Sequence, residues 1–440
     1  MGADSFGKIE ARFRRMTEPE WRPLNCVFFS LRNDWFRPFL VACPGLRFCS
    51  LPGLDKEIPR GNEQDGRPPV DRPDVIIITP DWYSLLETQG SGFVAKAFAY
   101  FRSISRAVVG VDNHDAFRLW TSPEALERLD LLIKPQGLYR DRDLYNFDVG
   151  PIFSGNDWTS KRISSKRFYS EKQLDKLRLS LPCFFSNHRA VRHVTRQTVL
   201  GMGTFQAGLR LAGDVVNGAM TSVLSRFVPR RSGIHCIVSL THMSRLDLVH
   251  SLRKAGITAD IGVVILGPTI GGTVPPGGDH TTEPPDVEGF FGIRNSEAQQ
   301  NEIVRALSSA GLLRRPISRF QFYFTILSSD AVIAPTGFGE ITTRHADAWA
   351  NGRALICPDL SHAETMFPFR DGYNSIYCKP DFSNIGSVIH DVEAGRVDHR
   401  AIARQGHEDW LRWTSDIPGL LERGLLAHLR EACGKGRELK

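Results

Sequence analysis

Several things are missing from this chain, and each absence narrows what it can be. No stretch approaches the ~18 consecutive apolar residues that a membrane-spanning helix needs. The opening Met1-Gly2-Ala3-Asp4-Ser5-Phe6 lacks the basic-then-apolar pattern of a secretory leader, so the chain reads as cytoplasmic. Its 8 cysteines include no Cys-x-x-Cys pair and no histidine at zinc-like spacing, and several lie inside apolar runs. Reduced core thiols are therefore expected, with no bound metal. Charge of one sign is scarce too: 55 Lys and Arg against 49 Asp and Glu leave a net +6. That excess is too small and dispersed for a nucleic-acid binder, but it suits an anionic nucleotide or a membrane surface.

What remains is an ordinary globular composition, 41% hydrophobic and 24% charged. A length of 440 residues exceeds one comfortable core, so two domains are expected. Residues 1–20 are polar and read as frayed. Strands are expected at Cys26–Phe29 and Phe39–Ala42, then a long Pro- and Gly-rich loop from Leu54 to Pro73. The run Asp74-Val75-Ile76-Ile77-Ile78-Thr79 is continuous and β-branched, as in a parallel strand buried on both faces. A helix from Gly92 to Ser105, a strand at Ala107–Val111, a helix opening at Ser122-Pro123-Glu124 and a strand at Leu131–Ile133 continue the alternation. Such alternation predicts an α/β, doubly wound first domain over 21–230.

At the carboxyl end of one of these strands stands Asp112-Asn113-His114-Asp115. Ligands of open α/β sheets bind at that edge, which makes Asp112 and Asp115 candidates for contacting an acceptor hydroxyl or taking its proton. A capped turn explains the same residues. Lys161 to Arg178 is basic with interleaved Phe168, Tyr169, Leu174 and Leu177, and reads as an amphipathic helix, docked on its own domain or facing a lipid. Pro229-Arg230-Arg231-Ser232-Gly233 reads as the linker, with a second domain over 231–400 and a helical tail over 401–440, carrying Trp410 and Trp413, that packs back on the first domain.

The second domain opens with the strand His235–Leu240 and a helix from Ser244 to its stop at Gly256. Arg245 falls in that helix's first turn, where a cation works against the helix dipole unless an anion sits beside it. After the strand Ile261–Leu266, the Gly- and Pro-rich stretch 267–289 has the length and composition of a lid. Ser296-Glu297-Ala298-Gln299 then forms a capping box, and a helix is expected around Phe320–Leu327.

The organising stretch is 331–380: the strand Ala331–Ala334, the turn Pro335-Thr336-Gly337-Phe338-Gly339-Glu340, a helix to Asn351-Gly352, and the strand Ala354–Cys357. Gly337 and Gly339 allow tight turning and close approach of backbone to a phosphate, and the helix start favours negative charge. Glu340, Arg344, Asp347 and Asn351 fall at i, i+4, i+7 and i+11, one polar stripe.

The run Gly337-Phe338-Gly339-Glu340, then Arg344, Asp347-Ala348, Gly352 and Pro358-Asp359-Leu360-Ser361-His362-Ala363-Glu364-Thr365 resembles the C-terminal half of GT-B glycosyltransferases of the group 1 kind, and more distantly the exostosin-like ones. The likeness covers about fifty residues. It implies a fold of two Rossmann-like domains facing a cleft, and a donor site for a nucleotide sugar of the UDP or GDP type, used as substrate with no further cofactor. It places Glu340 near the sugar, Asp347 near the ribose, Arg344 or Arg245 on the diphosphate, and His362 and Glu364 in a loop of donor contacts. Glu340 and Asp347 stand one position closer than the glutamate pair of many members, and the second acid is Asp. The activity implied is sugar transfer to a glycan or lipid-linked acceptor in glycan or surface polysaccharide synthesis, with peripheral contact at the inner face of a membrane. An epimerase acting on nucleotide sugars, or a non-catalytic scaffold, would share the same architecture.

Overall fold

The computed structural model describes residues 23–30, 36–43, 45–49, 70–113, 117–149, 162–164, 168–182, 234–239, 244–257, 261–264, 305, 307–314, 319–336 and 340–438. The expected linker at 229–233, the lid at 267–289 and the capping box at Ser296 lie outside them.

The first half is built on β1 (Leu24–Phe29), β2 (Leu46–Phe48), β3 (Val75–Ile78), β4 (Ala107–Val111) and β5 (Leu131–Lys134), followed by the short β6 (Leu138–Tyr139), β7 (Phe147–Val149), β8 (Arg162–Ser164) and β9 (Leu177–Leu179). Six of these form one sheet in the order β2-β1-β3-β4-β5-β9, parallel throughout. The unbroken Val-Ile-Ile-Ile of β3 is buried at every residue, as a central strand covered on both faces must be. Gly110 in β4 has a packing reason, because a Cβ there would fall 2.5 Å from Leu129 Cδ1.

Two expectations fail in this half. Phe39–Ala42 is not a strand but most of the helix Arg37–Ala42, with a proline in its first turn; four apolar residues are too few to show a period, and the proline suits a helix start. Lys161–Arg178 is not one amphipathic helix. It breaks into β8, the single turn Glu171–Leu174 capped by Ser170, and β9 at the sheet's edge. Tyr169 is buried with its hydroxyl donating to the Thr121 carbonyl at 2.8 Å, while Phe168 stands 74% exposed.

The second half carries β10 (Ile234–Ser239), β11 (Ile261–Val264), β12 (Leu313–Arg314), β13 (Ala331–Ile333), β14 (Ala354–Pro358), β15 (Ala363–Glu364) and β16 (Ile376–Cys378). Six form a second parallel sheet, β12-β11-β10-β13-β14-β16. Numbered within itself this is the order 3-2-1-4-5-6 of a dinucleotide-binding sheet. Two doubly wound sheets in one chain give the α/β architecture of the GT-B fold.

Alternation along the strands divides the core. Ala331, Ile333, Ala354 and Ile356 turn to a cluster confined to the second half. Val332, Ala334, Leu355 and Cys357 turn the other way, into a cluster continuous with the first sheet. The tail bridges the two. The helix His399–Thr414 lies on Thr343–Ala350 and β14, and the last helix, Ala427–Glu438, lies on β4 and β5. Arg178 Nε donates to Glu431 Oε2 at 2.9 Å, and His428 Nε2 meets the Leu179 carbonyl at 2.9 Å. Among the described residues no helix is long and apolar enough to cross a membrane.

Candidate functional site

In a sheet of order 3-2-1-4-5-6 the connections leave to opposite sides between the strands numbered 1 and 4, here β10 and β13, and a crevice opens beyond their carboxyl ends. Two residues reach it from those strands. Arg245 is the second residue of the helix Ser244–Lys254 that follows β10, and Thr336 lies just past β13. The Arg245 Nε donates to the Thr336 carbonyl at 3.2 Å, so a buried guanidinium spans the switch point.

A second guanidinium stands close by. Arg344, in the helix Thr343–Ala350, lies with its Cζ 5.5 Å over the Phe322 ring, and its Nη1 is shielded from solvent. Burial, and then the charge of Arg344, pull the Arg245 pKa down to about 10. Burial pushes the Cys236 thiol on β10 up to about 12, against the opposing pull of both guanidiniums. The charges of Arg344 and Arg245 are therefore both felt at Cys236, and that of Arg344 at Arg245. Burial lowers the Arg344 pKa, against the opposing pull of Cys236 and of Asp347, half-buried one turn along. Bringing like charges together out of water is unfavourable, and an anion between them would relieve that cost.

Glu340 is not part of the helix. The first helical residue is Thr343, with Thr342 at the N-cap, where the His345 Nδ1 accepts from the Thr342 N–H at 3.1 Å. The stripe beginning at Glu340 is broken for that reason. Glu340 is 2% exposed, and its Oε2 accepts the backbone N–H of Phe117, in the first half, at 2.9 Å. It lies near the buried phenol of Tyr139, whose pKa is raised by burial and then by the Glu340 charge.

His362 and Glu364 belong to the same junction rather than to the crevice. Their loop pairs antiparallel with the first half, β15 against β6, with Ala363 opposite Tyr139 and Glu364 opposite Leu138. Glu364 Oε2 meets Arg142 Nη2 at 2.9 Å. Arg140 donates from its backbone N–H to the His362 carbonyl at 2.9 Å and from Nε to the Ser361 carbonyl at 3.0 Å. The buried His362 ring packs near Phe117 and Tyr139, and burial lowers its pKa to about 4. Phe117, Arg140 and Arg142 carry no sequence signal, because their partners lie more than two hundred residues away.

Asp112 is wholly buried at the end of β4. Its Oδ1 accepts from Lys134 Nζ at 2.9 Å; its Oδ2 accepts from the N–H groups of Trp120 at 2.7 Å and Thr121 at 3.0 Å, and from the Thr121 hydroxyl at 3.2 Å. A carboxylate so engaged anchors a turn, the second of the two readings its sequence leaves open. Asp115, Gly337, Phe338 and Gly339 fall outside the described residues. Among the described residues no group of His, Cys, Asp or Glu is placed to hold a metal ion.

No protein-family model matches the chain, and no curated protein does. Among solved structures it is similar to HepE from Anabaena in complex with UDP, at 10% identity and a TM-score of 0.39, over 91% of this chain and 98% of that one. A glycosyltransferase from Rickettsia africae is similar at 10% identity and a TM-score of 0.43, over 93% and 97%. UDP-GlcNAc 2-epimerase from Neisseria meningitidis bound to UDP-GlcNAc is similar at 10% identity and a TM-score of 0.33, over 89% and 98%.

Proposed function

We propose that the chain binds a nucleoside-diphosphate sugar at the carboxyl edge of its second sheet and transfers the sugar to a hydroxyl of a glycan or lipid-linked acceptor. The observation that carries this reading is Arg245 spanning the β10/β13 switch point, where the charge of Arg344 adds to the cost of its burial. In the proposed reaction the bond from the anomeric carbon to the β-phosphate oxygen breaks, and the acceptor oxygen takes its place at that carbon. The departing diphosphate gathers negative charge, which Arg245 and Arg344 stabilise from fixed positions. Asp347, one turn farther along, opposes the burial that lowers the Arg344 pKa, and is the residue assigned to the ribose. The acceptor hydroxyl gives up its proton to water as the new bond forms.

A ligand that binds only the folded chain raises its stability by mass action. A thermal-shift panel of UDP, GDP, ADP and inorganic pyrophosphate is expected to give a concentration-dependent rise for at least one nucleoside diphosphate, and with Arg245→Ala the same rise only at about 10- to 100-fold higher concentration of that nucleotide. No rise with any of them contradicts the reading. With a nucleotide found, sugar loss from the donor that depends on an added acceptor distinguishes transfer from epimerisation.

A further inference from the structure

Two-domain enzymes move by default at their junctions, because most interdomain surfaces are modest and polar; a large apolar junction removes that freedom. The junction here is of the second kind. One face of the second sheet, through Val332, Ala334, Leu355 and Cys357, shares a continuous core with the first sheet, and Trp349 and Phe367 belong to that core. Trp349 stacks on Phe369 at 4.6 Å and meets Trp413 of the tail at 5.2 Å. A Cβ on Gly406 would come within 2.4 Å of Trp349 Cδ1, so the tail helix crosses with no space to slide. Backbone pairing of β6 with β15 closes the seam, and Arg142 with Glu364 flanks it.

At this seam lies the carboxylate of Glu340. An ionised carboxylate out of water is tolerated where hydrogen-bond donors meet it, and the Phe117 N–H does so. We propose that Glu340 is a positioning residue, the buried acceptor that fixes the first-half segment at Phe117 to the second half, and that the two halves form one rigid body whose seam stays closed when a nucleotide binds. Donor engagement then takes place in a crevice already formed at β10 and β13, with no rotation of the halves apart. The role of Glu340 stands on the junction alone; the persistence of the closed seam on nucleotide binding rests on the proposed donor site.

Amide hydrogen exchange on the full chain, resolved to peptides covering 112–121, 136–144 and 359–366, tests it without any ligand. Gln keeps an acceptor oxygen at position 340 and Ala does not. Protection at the Phe117 amide is expected in the wild type and in Glu340→Gln, and a loss of about 10- to 100-fold in Glu340→Ala, the range for a hydrogen bond to a charged group. Unchanged protection in Glu340→Ala, or an unprotected wild-type amide, overturns the positioning role. Should Glu340→Ala fail to fold, Arg142→Ala at the partly exposed edge of the seam supplies the second variant, expected to accelerate exchange at 136–144 and 359–366 together. Saturating UDP is then added to the wild type. Protection of the seam is expected to hold or rise, and its loss on UDP addition would show the halves parting and overturn the rigid-body inference. If UDP gives no thermal shift, GDP or ADP, whichever does, takes its place in this step; if none does, the proposed function fails and with it the claim that the seam stays closed on binding, while the ligand-free comparison decides the role of Glu340.

Discussion

The two sheets place charge at their carboxyl edges in opposite ways. At the first, Asp112 and Lys134 are both wholly buried and neutralise each other, with the remaining acceptor capacity of the carboxylate met by Trp120 and Thr121. At the second, the Arg245 guanidinium is buried at the switch point, and the charge of Arg344 adds to the cost of keeping it ionised. A balanced buried pair needs nothing more and reads as scaffold. A crowded pair of like charges gains from an anion, and reads as a binding site. Both edges show acidic and basic residues in sequence, so composition alone does not separate them; the partner of each charge does.

The largest expected effect comes from unbalancing the first pair. Asp112→Asn leaves the Lys134 ammonium buried beside a neutral amide, and a loss of about 3–5 kcal/mol of stability is expected in urea unfolding. A loss below 1 kcal/mol, joined to impaired nucleotide binding, would make the two edges alike and break the comparison. Arg245→Ala is expected to do the reverse. It weakens nucleotide affinity by about 10- to 100-fold, as measured by titration calorimetry, and moves the urea midpoint far less than Asp112→Asn does.

A smaller effect is expected from acid. Burial lowers the pKa of His345 from 6.5 to about 3 and that of His362 to about 4, so both are neutral in the fold. Between pH 6.5 and 4 the unfolded chain binds the protons and the folded chain does not. Their contribution to stability is therefore full above pH 6.5 and is lost as pH falls toward 4. Urea midpoints at pH 7 and pH 5 check this, and His345→Asn is expected to flatten the difference.

Much of the fold is legible in the sequence because parallel strands announce themselves. Val75–Ile78 and Ala354–Cys357 are apolar without interruption, since both faces are covered. Short elements escape. The three residues Leu46–Phe48 and the edge strand Leu177–Leu179 are too brief for a period to show, and β6 and β15 have two residues each. Arg245 carries a readable clue, a cation in the first turn of a helix where the dipole disfavours it. The place of Glu340 carries none. Its motif reads as the start of a helix and a donor contact, and its partner is the amide of a residue 223 positions earlier. Local spacing holds no information about such a contact.

The central claim is that an anion belongs between the two arginines of the second sheet. A crystal structure of the chain soaked with UDP tests it most directly. The account predicts the diphosphate at the carboxyl ends of β10 and β13, within hydrogen-bonding distance of both the Arg245 and Arg344 guanidiniums. A nucleotide bound elsewhere, or a crevice filled by protein with the guanidiniums unmoved, would contradict it.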